Sequence, residues 1–189
     1  MDVRSHGETA DNPLCKGGRF RVIFGFARAI TRPPLRSHPT SGNFMMSMAQ
    51  DRESWIEAFR QMQAHTATGP LQISLVDVDA DTITLRMPIT NASRQPMGLL
   101  HGGVSMVLAE TAASMHSCWG LDLSRSYPVG IEINGSHLRS ARDGHVLAKA
   151  SIVRRTRTLV VHSIEIVHEE TGDLLCTSRV TNLIREHRP

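Results

Sequence analysis

Between Ser54 and Gln63, the apolar residues Trp55, Ile56, Phe59 and Met62 recur at a three- and four-residue spacing. That spacing puts them on one side of a short amphipathic helix. Gly69-Pro70 stops it. From Leu71 to Pro88 the pattern changes to a period of two, clearest at Ile83, Leu85 and Met87. This predicts two strands around a turn at Asp79–Asp81. A polar loop follows, Thr90–Gly98, with Asn91, Arg94, Gln95 and Pro96.

The next stretch has no polar face. From Gln95 to Leu121, Glu110 alone comes from the group Asp, Glu, Lys and Arg. Val104–Trp119 is predicted as a helix, opened by Gly102-Gly103 and closed by Gly120 as the residue just past its end. Apolar or small residues occupy almost every side, so burial all round is expected. About 16 residues is short for a membrane span, and the concave face of a sheet is the expected environment. Strand patterns return in Pro128–Leu138, Gly144–Arg155, Thr158–His168 and, after a turn at Glu169–Asp173, Leu174–Ile184. Helix, two strands, buried helix, four strands predicts an α+β fold, one antiparallel β-sheet wrapped around a long central helix.

Composition narrows the function classes. The 189 residues suit one domain. With 40% hydrophobic and 21% charged residues the chain can bury a core. Aromatics at 4% argue against a nucleic-acid platform of stacked rings. The net charge of +3 is uneven. Residues 1–44 hold seven basic and three acidic residues, a balance of +4, and the remainder is −1. The basic excess therefore sits outside the predicted fold, unlike a globular nucleic-acid binder. Residues 1–44 also carry Gly17-Gly18, Pro33-Pro34 and one short apolar patch broken by Arg28. They read as a disordered tail or a mis-started extension, ahead of any targeting role. Residues 45–189 form the expected domain. No transmembrane segment is evident. Cys15, Cys118 and Cys176 offer no disulfide framework and suit a reducing, cytoplasmic setting. No metal-ligand spacing stands out among the ten histidines, so no metal is expected.

Candidate chemistry concentrates on the apolar helix. A lone buried carboxylate needs a partner. Glu110 either pairs with a strand arginine such as Arg139, reaches the surface, or works. Ser114, four residues on, shares its face and can bond it. At the helix start, His101-Gly102-Gly103 offers bare N–H groups that can polarise a carbonyl. Taken singly, two glycines indicate only a tight turn, and His101 only a hydrogen-bonded structural residue. The combination Gln95…His101-Gly102-Gly103…Glu110…Ser114 is more specific than its parts.

The segment from Gln95 to Ser114 resembles the signature of hotdog-fold acyl-CoA thioesterases. The group is the phenylacetyl-CoA thioesterase-like one, with the 4-hydroxybenzoyl-CoA and 1,4-dihydroxy-2-naphthoyl-CoA thioesterase type inside it. Val129–Arg139 also resembles that group's following strand, and the likeness covers roughly residues 50–186. The resemblance implies a hydrolase that cleaves an acyl- or aryl-CoA thioester without a separate cofactor, coenzyme A being part of the substrate. Glu110 would be nucleophile or general base. The Gly102 N–H would polarise the carbonyl, Gln95 and His101 would position it, and Ser114 would position the water or the carboxylate. Coenzyme A would lie along Gly130, along His137, Leu138, Arg139 and Ser140, and along Arg154, Arg155, Thr156, Arg157, Thr158 and Leu159. For the arginines, a solvated edge strand is an equal reading. The acyl pocket is expected near Met106, Met115, Trp119 and the Met87–Met97 loop. The other readings are a non-catalytic acyl-CoA sensor and a hotdog dehydratase or hydratase.

Spacing adds an independent expectation. Eight residues of straight helix separate Gly102 from Glu110 by ~12 Å. One carbonyl cannot touch both. Two antiparallel copies of the helix across a homodimer can bring them together. The family resemblance extends this to a homotetramer.

Overall fold

The structure, a computed structural model, describes residues 51–187. The extension at 1–44 lies outside the described residues. Helix α1 (Arg52–Gln63) starts at Asp51, whose side chain accepts from the Ser54 N–H at 2.9 Å. It buries Trp55, Ala58 and Phe59. Strands β1 (Ser74–Val78) and β2 (Thr82–Pro88) form a hairpin. Helix α2 (Gly102–Ser117) follows, then β3 (Ser126–His137), β4 (His145–Arg155), β5 (Leu159–His168) and β6 (Leu174–Glu186). The six strands form one antiparallel sheet in the order β1-β2-β4-β5-β6-β3.

The sheet curls around α2, which packs against β2 through β6. This is the expected hotdog arrangement. Ala109, Ala112 and Ala113 are buried on the helix and face a sheet floor that includes Ile83, Leu85, Ala148, Ile164 and Val180. Small helix residues let the backbone sit close to the strands, and the branched residues fill the space beneath.

Three sequence expectations shift. The helix runs from Gly102 to Ser117, two residues earlier than predicted at each end, because His101 caps it. Cys118 is its C-cap, so the left-handed Gly120 (φ 75°) stands one residue further out than expected. Helix α2 is also not covered on every side in one chain: His101, Gly103 and Val107 are exposed. Finally, β1 begins at Ser74 rather than Leu71, since Gln72 has a left-handed φ of 54° that no strand continues through.

Two buried histidines tie the end of α2 to the sheet. His116 Nε2 lies 3.0 Å from the Asp79 carbonyl, and its Nδ1 lies 3.0 Å from His162 Nε2. A carbonyl only accepts, so neutral His116 carries its proton on Nε2. Its bare Nδ1 then accepts from His162 Nε2–H, and His162 Nδ1 has no partner among the described residues. Burial pushes His116 below the usual histidine range and His162 down to about 3.

Candidate active site

Glu110 sits on the sheet-facing side of α2, half-buried. Ser114 Oγ donates to its Oε1 at 2.6 Å, the i,i+4 contact expected from the helix. Asn182 on β6 then donates from Nδ2 to Ser114 Oγ at 3.0 Å. Gly130 on β3 is paired in register with Asn182. A Cβ at position 130 would lie 2.8 Å from Glu110 Oε1. The missing side chain is therefore the space the carboxylate occupies. A bulge at Ile131 follows directly, where Gly130 pairs with Asn182 and Glu132 with Thr181. The Arg139 partnership is overturned: Arg139 pairs with Asp173 at 3.0 Å.

At the other end of α2, the His101 Nδ1 accepts from the Gly103 N–H at 2.9 Å. His101 is thus the helix cap, and it fixes the first turn that presents the Gly102 N–H. The Gly102 N–H, in the first turn, has no intrahelical acceptor by its position. Gly102, Gln95, Ser105, His137, Leu138, Arg139 and Ser140 line a cavity of about 340 Å³. The Gln95 side-chain oxygen accepts from the Met97 N–H, which holds the loop in front of that cavity. His137 lies so close that a Cβ on Gly102 would meet its Nε2 at 2.7 Å.

Glu110 lines a different cavity, of about 280 Å³, with Gly130, Ile131, Glu132 and Ile133. The two cavities share no lining residue within one chain. The expected set thus divides into Glu110, Ser114 and Gly130 in one place and Gln95, His101 and Gly102 in another.

Comparison with known proteins decides what this helix and sheet belong to. The thioesterase superfamily pattern matches residues 97–180. The 1,4-dihydroxy-2-naphthoyl-CoA hydrolase of Escherichia coli is 36% identical over 137 residues, covering 72% of this chain and 99% of that protein. The chain belongs to the thioesterase superfamily. The protein of the same name from Listeria monocytogenes is 37% identical over 116 residues, covering 61% of this chain and 93% of its own length. Among solved structures, a mutant thioesterase from Pseudomonas aeruginosa matches with a TM-score of 0.67 and 35% identity, over 70% of this chain and 94% of that one. A Haemophilus influenzae thioesterase matches with a TM-score of 0.65 and 36% identity, over 69% and 90%.

The coenzyme A positions expected for this thioesterase also divide. His137, Leu138, Arg139 and Ser140 lie with Gly102. The Arg154–Leu159 turn lies at the other end of the sheet, where Leu159 pairs with Leu183 and Leu183 with Val129. Seven residues of β3 separate Gly130 from His137, about 23 Å. Arg154 and Arg157 are exposed there. Arg155 is engaged differently from its neighbours. Its guanidinium donates to the carbonyls of Trp119 (3.0 Å) and His116 (3.2 Å), at the C-terminal end of α2. It neutralises the helix terminus. Thr156 Oγ1 accepts from the Leu159 N–H at 2.9 Å and closes the turn. Of the residues expected near the acyl pocket, Trp119 packs on Trp55 with ring centres 5.3 Å apart, and Met87 is fully buried in the core.

Asn182 escaped the sequence reading. Its signal was present: an asparagine inside a run of strand residues is out of place unless its amide has a partner. One His–carboxylate cluster also emerged among the described residues, His145, Glu169 and Glu170. Its donors are used internally. Glu170 holds His145 Nδ1 at 2.9 Å, and Glu169 pairs with Arg86 at 2.8 Å.

Proposed function

We propose that the protein hydrolyses an acyl- or aryl-CoA thioester at a site assembled from two copies of the chain. Glu110 of one copy works beside the Gly102 N–H of the other. The observation that carries this reading is the division of the candidate residues between two cavities with no common lining residue.

The surface supports assembly. Strand β3 is one edge of the sheet and runs 12 residues. An unpaired edge of that length invites a second strand. Ile131 and Ile133 on it, and Val107 on α2, are exposed apolar residues beside the Glu110 cavity. A second β3 alongside the first covers them and turns α2 of one copy antiparallel to α2 of the other. The further step to a tetramer rests on the family resemblance. The names of the Escherichia and Listeria relatives support coenzyme A thioesters as the substrate class. Free, buried Cys118 and Cys176 support a reducing cytoplasmic compartment.

The chemistry follows from the geometry. Ser114 occupies Oε1, leaving Oε2 to attack the carbonyl or to take a proton from water. The Gly102 N–H, at a helix N-terminus, stabilises the negative charge that develops on the carbonyl oxygen. The carbon–sulfur bond then breaks and coenzyme A leaves as a thiolate that takes up a proton. The acyl carbon receives the water oxygen, either directly from the activated water or when water hydrolyses the Glu110 acyl anhydride, and the free acid leaves. Exposed Arg154 and Arg157 offer cations for phosphates.

The test is thiol release from aryl- and straight-chain acyl-CoAs by the wild type and by Glu110→Gln. The wild type should release thiol, and the variant should lose roughly 10²–10⁴-fold in kcat while keeping its fold. Binding without release would instead mark a sensor, and water addition to an enoyl-CoA a hydratase.

A further inference from the structure

We infer that Asn182 is a positioning residue for the hydrolytic carboxylate, acting through Ser114. The inference rests on the reading of Glu110 above and extends it to a residue on another element.

Ser114 has one hydroxyl proton. It lies 2.6 Å from Glu110 Oε1, the short distance of a hydrogen bond to a charged acceptor. With that proton committed, Ser114 Oγ can only accept from its other neighbour, so Asn182 must present its NH₂ group. The amide orientation is dictated by the carboxylate two bonds away. The consequence is visible at the other amide atom. Asn182 is fully buried, and its Oδ1 has no hydrogen-bond partner among the described residues. A buried acceptor without a partner costs stability. For the fold alone, leucine has nearly the same shape as asparagine without that cost. An asparagine held in this orientation serves the relay rather than the core.

Register explains why residue 182 can do this. Asn182 is paired with Gly130, and Gly130 leaves the space that Glu110 fills. Two adjacent strands therefore act together. One makes room for the carboxylate, and the other fixes the hydroxyl that orients it. Without the Asn182 donor, Ser114 is free to rotate its proton away. Oε1 then loses a fixed bond, and Oε2 loses its aim.

The test is a double-mutant cycle on the full chain, with Asn182→Leu, Ser114→Ala and the pair, reading kcat, KM and melting temperature. Glu110→Gln is assayed alongside. Asn182→Leu should lower kcat about tenfold, the effect of one ordinary hydrogen bond, with KM within about twofold and melting temperature unchanged or raised. In the Ser114→Ala background the same substitution should cost nothing further, because the relay is already cut. Asn182→Val repeats the cycle should Asn182→Leu not fold. A wild-type kcat, or an equal loss in the Ser114→Ala background, overturns the relay while leaving Glu110 in place. Full turnover by Glu110→Gln overturns the relay together with the reading beneath it.

Discussion

Glu110 and Gly130 meet across the boundary between helix and sheet, and the carboxylate occupies the space where a side chain at 130 would begin. An added Cβ would stand 2.8 Å from Oε1. Strand backbone on one side and the Ser114 bond on the other leave Oε1 little room to yield. Gly130→Ala should therefore displace the carboxylate. We expect kcat to fall at least about tenfold, with a stability loss of about 1–3 kcal/mol for overpacking. Thiol-release kinetics and thermal melting check this together. An alanine variant with wild-type kcat would show that the carboxylate has another place to sit.

The arginines of the β4–β5 turn should separate by readout. Arg155 caps the α2 terminus through Trp119 and His116. Arg155→Met should cost about 1 kcal/mol, seen as a lower melting temperature. Arg154 and Arg157 are exposed. Their joint replacement by glutamine should raise KM for acyl-CoA several-fold and flatten its dependence on salt. A KM that does not respond would remove this turn from phosphate binding.

The buried histidine pair predicts a stability profile. In the native state burial holds both rings below the ordinary value near 6.5, His162 at about 3. The unfolded chain binds protons on these rings as pH falls through 6.5, and the native chain does not. The unfolded state therefore binds more protons, and stability falls with falling pH from about 6.5 towards 3. Melting temperature against pH reads the slope. Nitrogen NMR of the histidines reads the cause: His162 should stay neutral at pH 5.5, protonated on Nε2, and His116 should titrate below the ordinary histidine value. A charged His162 at that pH would contradict the network.

Local periodicity made much of this site legible. Gly102, Glu110 and Ser114 lie on one helix, so spacing alone put the hydroxyl beside the carboxylate and the glycine too far away. Gly130 came from the resemblance, but its physical reason did not. That reason depends on which strand passes beneath Glu110. Asn182 was invisible for the same cause, being 68 residues from Ser114 and joined to it only through sheet register. Arg155 looked like its neighbours because a charge run carries no mark of which member meets a helix end. The exposed side of α2 misled in a different way. Apolar residues all round a helix predict burial, and one chain leaves Val107 in solvent. The proposed second copy would cover it.

The central claim is that one chain supplies Glu110 and another supplies Gly102 to each site. Subunit complementation measures this directly. Glu110→Ala removes the carboxylate. Gly102→Val fills the cavity in front of the helix N-terminus, where a Cβ already meets His137 at 2.7 Å. Each variant is first shown to be folded and nearly inactive. The two are unfolded together, refolded and checked for mixed dimers by native mass. In a mixed dimer, one site joins the intact Glu110 of one chain to the intact Gly102 of the other, and the second site carries both lesions. Random pairing makes half the dimers mixed, so the account predicts recovery of about a quarter of wild-type thiol release. Confirmed mixed dimers as inactive as their parents would contradict it and place the whole site within one chain.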